Sequence, residues 1–316
     1  MRQEEAARVN DEFSPLTTHA ASQSLADAYA YCHRVAQKSS SNFYYAFRLL
    51  PSERYDALCA LYAFCRFMDD IADQIESRPS QERSQSRSER ITFLLNTWRE
   101  ELRHCYNGAP RHPISLALAD VVKKFPIAQA HLAGIISGVE MDLHKRRYRN
   151  FEELYEYCYH VASLVGLVCI EIFGYRNPSA KEYAINLGIA FQLTNILRDV
   201  GEDAQRGRIY VPTEDLSRFG YTEHELLANV YNEAFFRLMA FEGKRAREFY
   251  GKAVAHLAAE DRGSLIAAEA MRLIYSRLLH KLEAKRFHIF GPRISLTTPG
   301  KIGLALTAWV RGKLSF

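Results

Sequence analysis

From residue 24 onward, apolar positions recur every three or four residues, and no run alternates as a strand would. That pattern predicts helices at about 24–38, 43–49, 52–75, 88–106, 113–123, 127–142, 151–173, 179–204, 223–259 and 263–285. Breakers separate them: Pro51, Gly108 to Pro110, Pro126, Gly174 to Pro178, and Gly207 to Pro212. The polar, repetitive stretch SRPSQERSQSRSER (77–90) predicts a mobile loop. The chain therefore reads as all-α: a disordered segment over 1–23, one helical domain over 24–295, and an amphipathic helix within 296–316. In that last helix Ile302, Leu306, Trp309 and Val310 share one side, with Lys301, Arg311 and Lys313 nearby. Its first reading is core packing; the alternative is a peripheral membrane contact through Trp and basic residues.

Two of the helices carry acidic stripes. Along YDALCALYAFCRFMDDIADQ (55–74), Leu58, Tyr62, Cys65, Asp69 and Asp73 fall on one side, and Asp70 lies to its flank. Phe64, Phe67 and Ile71 make the opposite side apolar as well, so the helix reads as buried, with carboxylates facing a cavity. In NLGIAFQLTNILRDVGED, Gly188, Gln192, Asn195, Asp199 and Asp203 form one stripe and aliphatic residues cover most of the rest.

Composition narrows the reading. With 48% hydrophobic and 25% charged residues among 316, the sequence is that of a soluble globular protein. A net charge of +4, dispersed along the chain, gives no footprint for nucleic acid. Six cysteines without ligand spacing read as small buried residues in a reducing compartment. No signal peptide is visible and no uninterrupted apolar run reaches the roughly 20 residues of a membrane span, which predicts a cytoplasmic protein, at most peripheral at the inner face of the membrane.

A single DxxxD pair is ordinarily a solvated helix face. Two such pairs on apolar helices change the balance, because facing carboxylates repel unless cations lie between them, and hard oxygen ligands suit Mg²⁺. Asn195 adds a neutral oxygen, and Arg66, Arg198, Arg206 and Arg208 supply guanidinium forks suited to phosphate. Neither GxGxxG nor GxxxxGK[ST] occurs, so a nucleotide is not the expected ligand. A diphosphate on an apolar tail fits an apolar helical cavity with a charged mouth.

The motifs NFYYAFRLLP (42–51), LYAFCRFMDDIAD (61–73), GVEMDL (138–143), YCYHVASLVG (157–166) and FQLTNILRDVGEDAQRGRIYVP (191–212) resemble those of the squalene/phytoene synthases, the head-to-head prenyl transferases. The resemblance runs from about residue 25 to 295 and implies an isoprenoid synthase fold, its two aspartate helices facing across a central cavity. It implies Mg²⁺, with Mn²⁺ as a substitute, held by Asp69, Asp73, Asn195, Asp199 and Asp203. It places diphosphate on Arg66, Arg198, Arg208, Tyr210 and Arg293, and puts Tyr62, Gln192 and Phe43 along the site, with Lys38 or Arg48 as a substitute basic contact. Tyr157 matches a tyrosine implicated in proton transfer and cation stabilisation, roles that an aromatic hydroxyl can fill.

The wording departs from the family in places. Ser39, Ser41 and Asn42 stand where many members have a His, a Lys and a Ser, and VASLVG replaces the VAGTVG usual in phytoene synthases. VASLVG, with FYYAFRLLP and GVEMDL, is closer in wording to the bacterial hopanoid-pathway synthase, so the leading expectation is condensation of two farnesyl diphosphates to presqualene diphosphate without NADPH. The alternatives are a phytoene synthase using two geranylgeranyl diphosphates, a squalene or dehydrosqualene synthase, and, least favoured, a non-enzymatic assembly factor of the same fold. A monomer or weak dimer acting on prenyl diphosphates is expected.

Overall fold

The computed structural model describes residues 24–38, 47, 50–73 and 84–314, with side chains for all but 72–73, 84–87 and 313–314. Among the described residues the chain is helical and holds no strand, only an isolated parallel bridge between Arg147 and Ile209. It divides into two compact units, Met1–Ser41 with Pro51–Leu143, and Asn42–Leu50 with His144–Phe316.

The first unit contains α1 (Leu25–Lys38), α2 (Ser52–Asp73), α3 (Ser84–Asn107), α4 (Pro113–Lys124) and α5 (Gln129–His144). Helices α1, α2 and α4 pack on one another, and α3 lies against α2 and α4. Phe64, Phe67 and Trp98 fill the junction with His112, whose ring sits 4.9 Å from Trp98. His112 caps α4: its Nδ1 accepts the Ile114 N–H at 3.1 Å, and Pro113 opens the helix where no donor is needed. Burial pushes the His112 imidazole down to about 4, so it stays neutral and able to accept. The same end is pinned by Glu101, whose Oε1 accepts from Arg111 N, His112 N and Ser115 Oγ at 2.5–2.8 Å.

The second unit contains α6 (Phe151–Cys158), a π-helical turn (Tyr159–Ser163), α7 (Leu164–Phe173), α8 (Ala180–Gln205), α9 (Thr213–Phe219), α10 (Glu223–Leu227), α11 (Glu233–Ala255), α12 (Ile266–Ala284) and α13 (Thr298–Leu314). Helix α8 is its axis, packed on by α11, α7, the π-helical turn and α12. Burial along α8 follows the sequence pattern: Leu187, Ala190, Leu193, Ile196, Leu197 and Val200 are all buried, whereas Gln192, Asn195, Asp199 and Asp203 are only half-buried.

Several boundaries differ from the expected ones. The predicted helix 223–259 is interrupted, because Asn229 takes a left-handed conformation (φ 53°) and Asn232 caps a new helix by accepting from Phe235 N. The 151–173 stretch is not one α-helix: a π-helical turn inserts a residue at 159–163. By length and mean hydropathy this stretch could cross a membrane, although it is interrupted by charged residues and half of its apolar window is buried inside the protein. Helix α3 begins at Ser84 inside the segment expected to be a loop, where Gln, Arg and Glu are good helix formers. Helix α9 was not anticipated; its acidic first turn and Gly220 cap define it. The expected helix 43–49, the loop over 77–83 and the segment 1–23 lie outside the described residues, apart from Phe47.

Candidate functional site

The polar stripe of α8 meets a crossing segment. After α12 the chain turns through Arg286 and Phe287, both left-handed (φ 52° and 55°), and residues 287–297 run on to α13. Phe287, Ile289 and Ile294 are buried, and Phe290 lies 4.8 Å from the Phe235 ring. This segment brings Arg293 to Asp199 in a forked pair, Nε to Oδ1 at 3.0 Å and Nη2 to Oδ2 at 2.7 Å. Arg198 folds back on the same carboxylate, its Nε 2.8 Å from Oδ1. Burial opposes ionisation of Asp199, but the hydrogen bonds from Arg198 and Arg293 outweigh it and hold the carboxyl below the ordinary range.

Asp203, one turn on, behaves in the opposite way. Burial and then the Asp199 charge push its carboxyl up to about 7, with Arg206 and Arg208 only partly compensating. One turn before Asp199, the buried Asn195 Oδ1 has no hydrogen-bond partner. An unpartnered buried carbonyl oxygen, a carboxylate and a carboxyl whose ionisation is opposed by burial and by its neighbour's charge form a set of oxygen donors on one face. The side-chain chemistry fits a hard divalent ion. Among the described residues no cluster of three His, Cys, Asp or Glu side chains is close enough to hold a metal, so α8 offers a partial set: two carboxylates and an amide.

Beyond α8 the chain turns at Gly207 (φ 81°), and Ile209 N donates to Arg146 O at 3.0 Å. Arg147 clamps this loop, donating to Gly207 O at 2.7 Å and to Glu223 at 2.9 Å. The clamp sets Tyr210 against Tyr157, with ring centroids 5.0 Å apart and the Tyr157 hydroxyl donating to Tyr210 Oη at 3.3 Å. Tyr148 completes a three-ring cluster, 5.5 Å from Tyr157 and 5.8 Å from Tyr210. All three rings are buried.

The expected residues are thus distributed as follows. Asn195, Arg198, Asp199, Asp203, Gln192 and Arg293 gather on α8 and the crossing segment, and Tyr157 pairs with Tyr210; Arg208 is half-buried in the loop between them. In the first unit, α2 carries Tyr62, Arg66 and Asp69; there Asp69 is exposed and Arg66 pairs with Asp70 at 2.5 Å. Asp73 closes that helix, and its side chain, like Phe43 and Arg48, lies outside the described residues. Four of the arginines expected to face phosphate have carboxylate partners here: Arg66 on Asp70, Arg198 and Arg293 on Asp199, and Arg206 on Glu202. Tyr148, Arg147 and Phe290 were not foreseen. Tyr148 lies in the charged run KRRYRN, whose polarity hides a fully buried ring.

The squalene/phytoene synthase sequence profile matches residues 36–299. The 15-cis-phytoene synthase of Synechocystis sp. (strain ATCC 27184 / PCC 6803 / Kazusa) is 34% identical over 303 residues, covering 92% of this chain and 87% of its own. Phytoene synthase 2, chloroplastic, of Solanum lycopersicum is 33% identical over 296 residues, covering 91% of each chain. Among solved structures, a dehydrosqualene synthase in complex with ligand superimposes with a TM-score of 0.79 at 28% identity, covering 92% of this chain and 98% of that one. The chain belongs to the squalene/phytoene synthase family of prenyltransferases and has their isoprenoid synthase fold.

Proposed function

We propose that this protein joins two geranylgeranyl diphosphates head to head to form phytoene, releasing both diphosphates. The observation that carries this reading is the 33–34% identity to phytoene synthases across nine-tenths of the chain. It outweighs the wording of VASLVG and GVEMDL, which favoured farnesyl diphosphate and a presqualene diphosphate product. Loss of diphosphate from one allylic substrate leaves a cation, which the 2,3 double bond of the second substrate attacks. Loss of a proton closes a cyclopropane; a second ionisation, rearrangement and proton loss yield the hydrocarbon. Two protons leave with two diphosphates, so no reductant is consumed.

Asp199, Asp203 and Asn195 on α8 would hold Mg²⁺, and the motif resemblance assigns the same role to Asp69 and Asp73 on α2. When bound, the metal supplies positive charge that neutralises the departing diphosphate. Arg293 and Arg198 sit where they can hand their guanidinium donors from Asp199 to phosphate oxygens. The Tyr157–Tyr210 pair offers two stacked ring faces and a linked pair of hydroxyls, suited to sheltering a carbocation and accepting a proton. A second reading, condensation of farnesyl diphosphates, is favoured by the 28% identity to a dehydrosqualene synthase. Mass spectrometry of products from each prenyl diphosphate, with and without NADPH, separates them. A C40 hydrocarbon from geranylgeranyl diphosphate without NADPH is expected; a C30 product or a cyclopropyl diphosphate from farnesyl diphosphate alone would overturn the C20 assignment.

A further inference from the structure

Helix α13 packs on α12 through its smallest residues. Ala305 and Ala308 are buried, and Gly312 sits so close to Ile266 that a Cβ there would collide with it. That seat decides what faces outward. Ile302, Leu306, Trp309 and Val310, at spacing i, i+4, i+7 and i+8, are 43%, 53%, 41% and 46% exposed. The other large exposed hydrophobics among the described residues (Leu25, Phe93, Leu227, Val230, Val254) are scattered over other elements, so this is the one helix that gathers four of them in a stripe. The core-packing reading of these four residues is therefore reversed: the small face packs and the large face is left open.

Charge identifies what the open face meets. Residues 296–316 contain Lys301, Arg311 and Lys313 and not one Asp or Glu. A second copy of the chain docking face to face would set these like charges against one another. An anionic lipid surface complements both features, taking the aliphatic stripe and the Trp309 ring into the acyl boundary while phosphates meet the basic residues. We propose that α13 is a membrane-docking helix that lies in the plane of an anionic bilayer surface. The proposal is independent of which prenyl chain the enzyme uses.

Flotation of the full chain with vesicles of phosphatidylcholine alone, or of phosphatidylcholine with 30% phosphatidylglycerol (~30 mol %), tests it. The chain has two tryptophans, and Trp98 is already buried, so a blue shift on vesicle addition reports Trp309. Flotation with the anionic vesicles and a blue shift are expected. Leu306→Glu should weaken binding at least ~10-fold, and Arg311→Gln about fivefold, with unchanged circular dichroism. No flotation, or equal flotation of Leu306→Glu, would overturn the proposal. So would a concentration-dependent dimer that Leu306→Glu dissolves without any vesicle binding. Flotation seen only after deletion of residues 1–23 would assign the face to that segment instead.

Discussion

Gly201 and Phe290 are in direct contact: a Cβ built on Gly201 would lie 2.9 Å from Phe290 Cδ1 and 3.1 Å from Cε1. The glycine in LRDVGED is there for close approach. Its missing side chain lets the segment after α12 cross α8 two residues from Asp199, and Phe290 holds that crossing while Arg293 reaches the carboxylate. Gly201→Val should push Phe290 off the helix, costing about 1–3 kcal/mol by overpacking. Turnover should fall further than that of Gly220→Ala, whose cost is confined to a strained turn remote in sequence from the stripe. Equal effects on chemical denaturation and turnover in the two variants would remove Gly201 from the site's architecture.

Asp199→Asn tests the donor set. The substitution keeps the shape but leaves two guanidiniums facing a neutral amide, a loss of about 1–3 kcal/mol for the charged hydrogen bonds. Turnover should fall by at least ~10³-fold, the scale reached when a group stabilising developing charge is removed. Calorimetry with Mg²⁺ and inorganic pyrophosphate gives a readout free of chemistry: heat of binding in the parent and none in the variant is expected. Retained binding would take Asp199 out of the metal set.

How much of this was visible beforehand depends on the range of the interaction. The α8 stripe, its buried aliphatic remainder and the Tyr157 and Tyr210 candidates were legible because helical periodicity and local motifs encode them. The π-helical turn was not; it sits against another helix, where a Cβ on Gly188 would lie 2.6 Å from Ser163 Cα, and such a contact leaves no local pattern. Tyr148 was hidden by charged neighbours, and the pairing of Arg293 with Asp199 joins residues 94 apart in sequence. On α13 the periodicity gave the stripe but not its direction. Only the fit of Ala305, Ala308 and Gly312 against α12 shows that the large residues face outward.

Tyr157→Phe removes the hydroxyl linked to Tyr210 while keeping the stacked rings. Proton-transfer groups are worth roughly 10²–10⁴-fold, so kcat should fall within that range while KM changes little. Tyr157→Leu, which removes the ring as well, should lose more if the aromatic face shelters a cation. A Phe variant with parental kcat would leave Tyr157 a packing residue only.

Stability should depend on pH through a site remote in sequence from the stripe. Glu242 and Asp215 are both buried and share Arg245, whose Nη1 lies 2.7 Å from Glu242 Oε1 and 2.9 Å from Asp215 Oδ2. Two carboxylates on one guanidinium carry an excess negative charge, and burial with the Asp215 charge pushes Glu242 up to about 8 despite Arg245. The folded state therefore keeps a proton that the unfolded chain releases near its ordinary carboxylate value. This contribution is complete at acid pH and shrinks as pH rises towards about 8, by up to ~1.4 kcal/mol per unit. Urea denaturation at several pH values should show that decline in the parent and a flatter profile in Glu242→Gln. A parallel slope in both would place the proton elsewhere.

Asn195 separates a ligand from a structural amide most cleanly. Its Oδ1 is buried without a partner, an arrangement that costs about 1–3 kcal/mol and is retained beside Asp199 on the polar stripe. A structural asparagine would make that hydrogen bond, and its loss would destabilise the fold. Here Asn195→Leu, close in volume and free of the orphaned carbonyl, should leave stability unchanged or raise it by about 1 kcal/mol. The same variant should weaken Mg²⁺–pyrophosphate binding and lower turnover at least ~10-fold, as expected when one oxygen leaves a small coordination set. Denaturation, calorimetry and turnover on one preparation decide the matter: lowered stability with normal binding would make Asn195 structural, whereas normal stability with lost binding identifies it as a ligand.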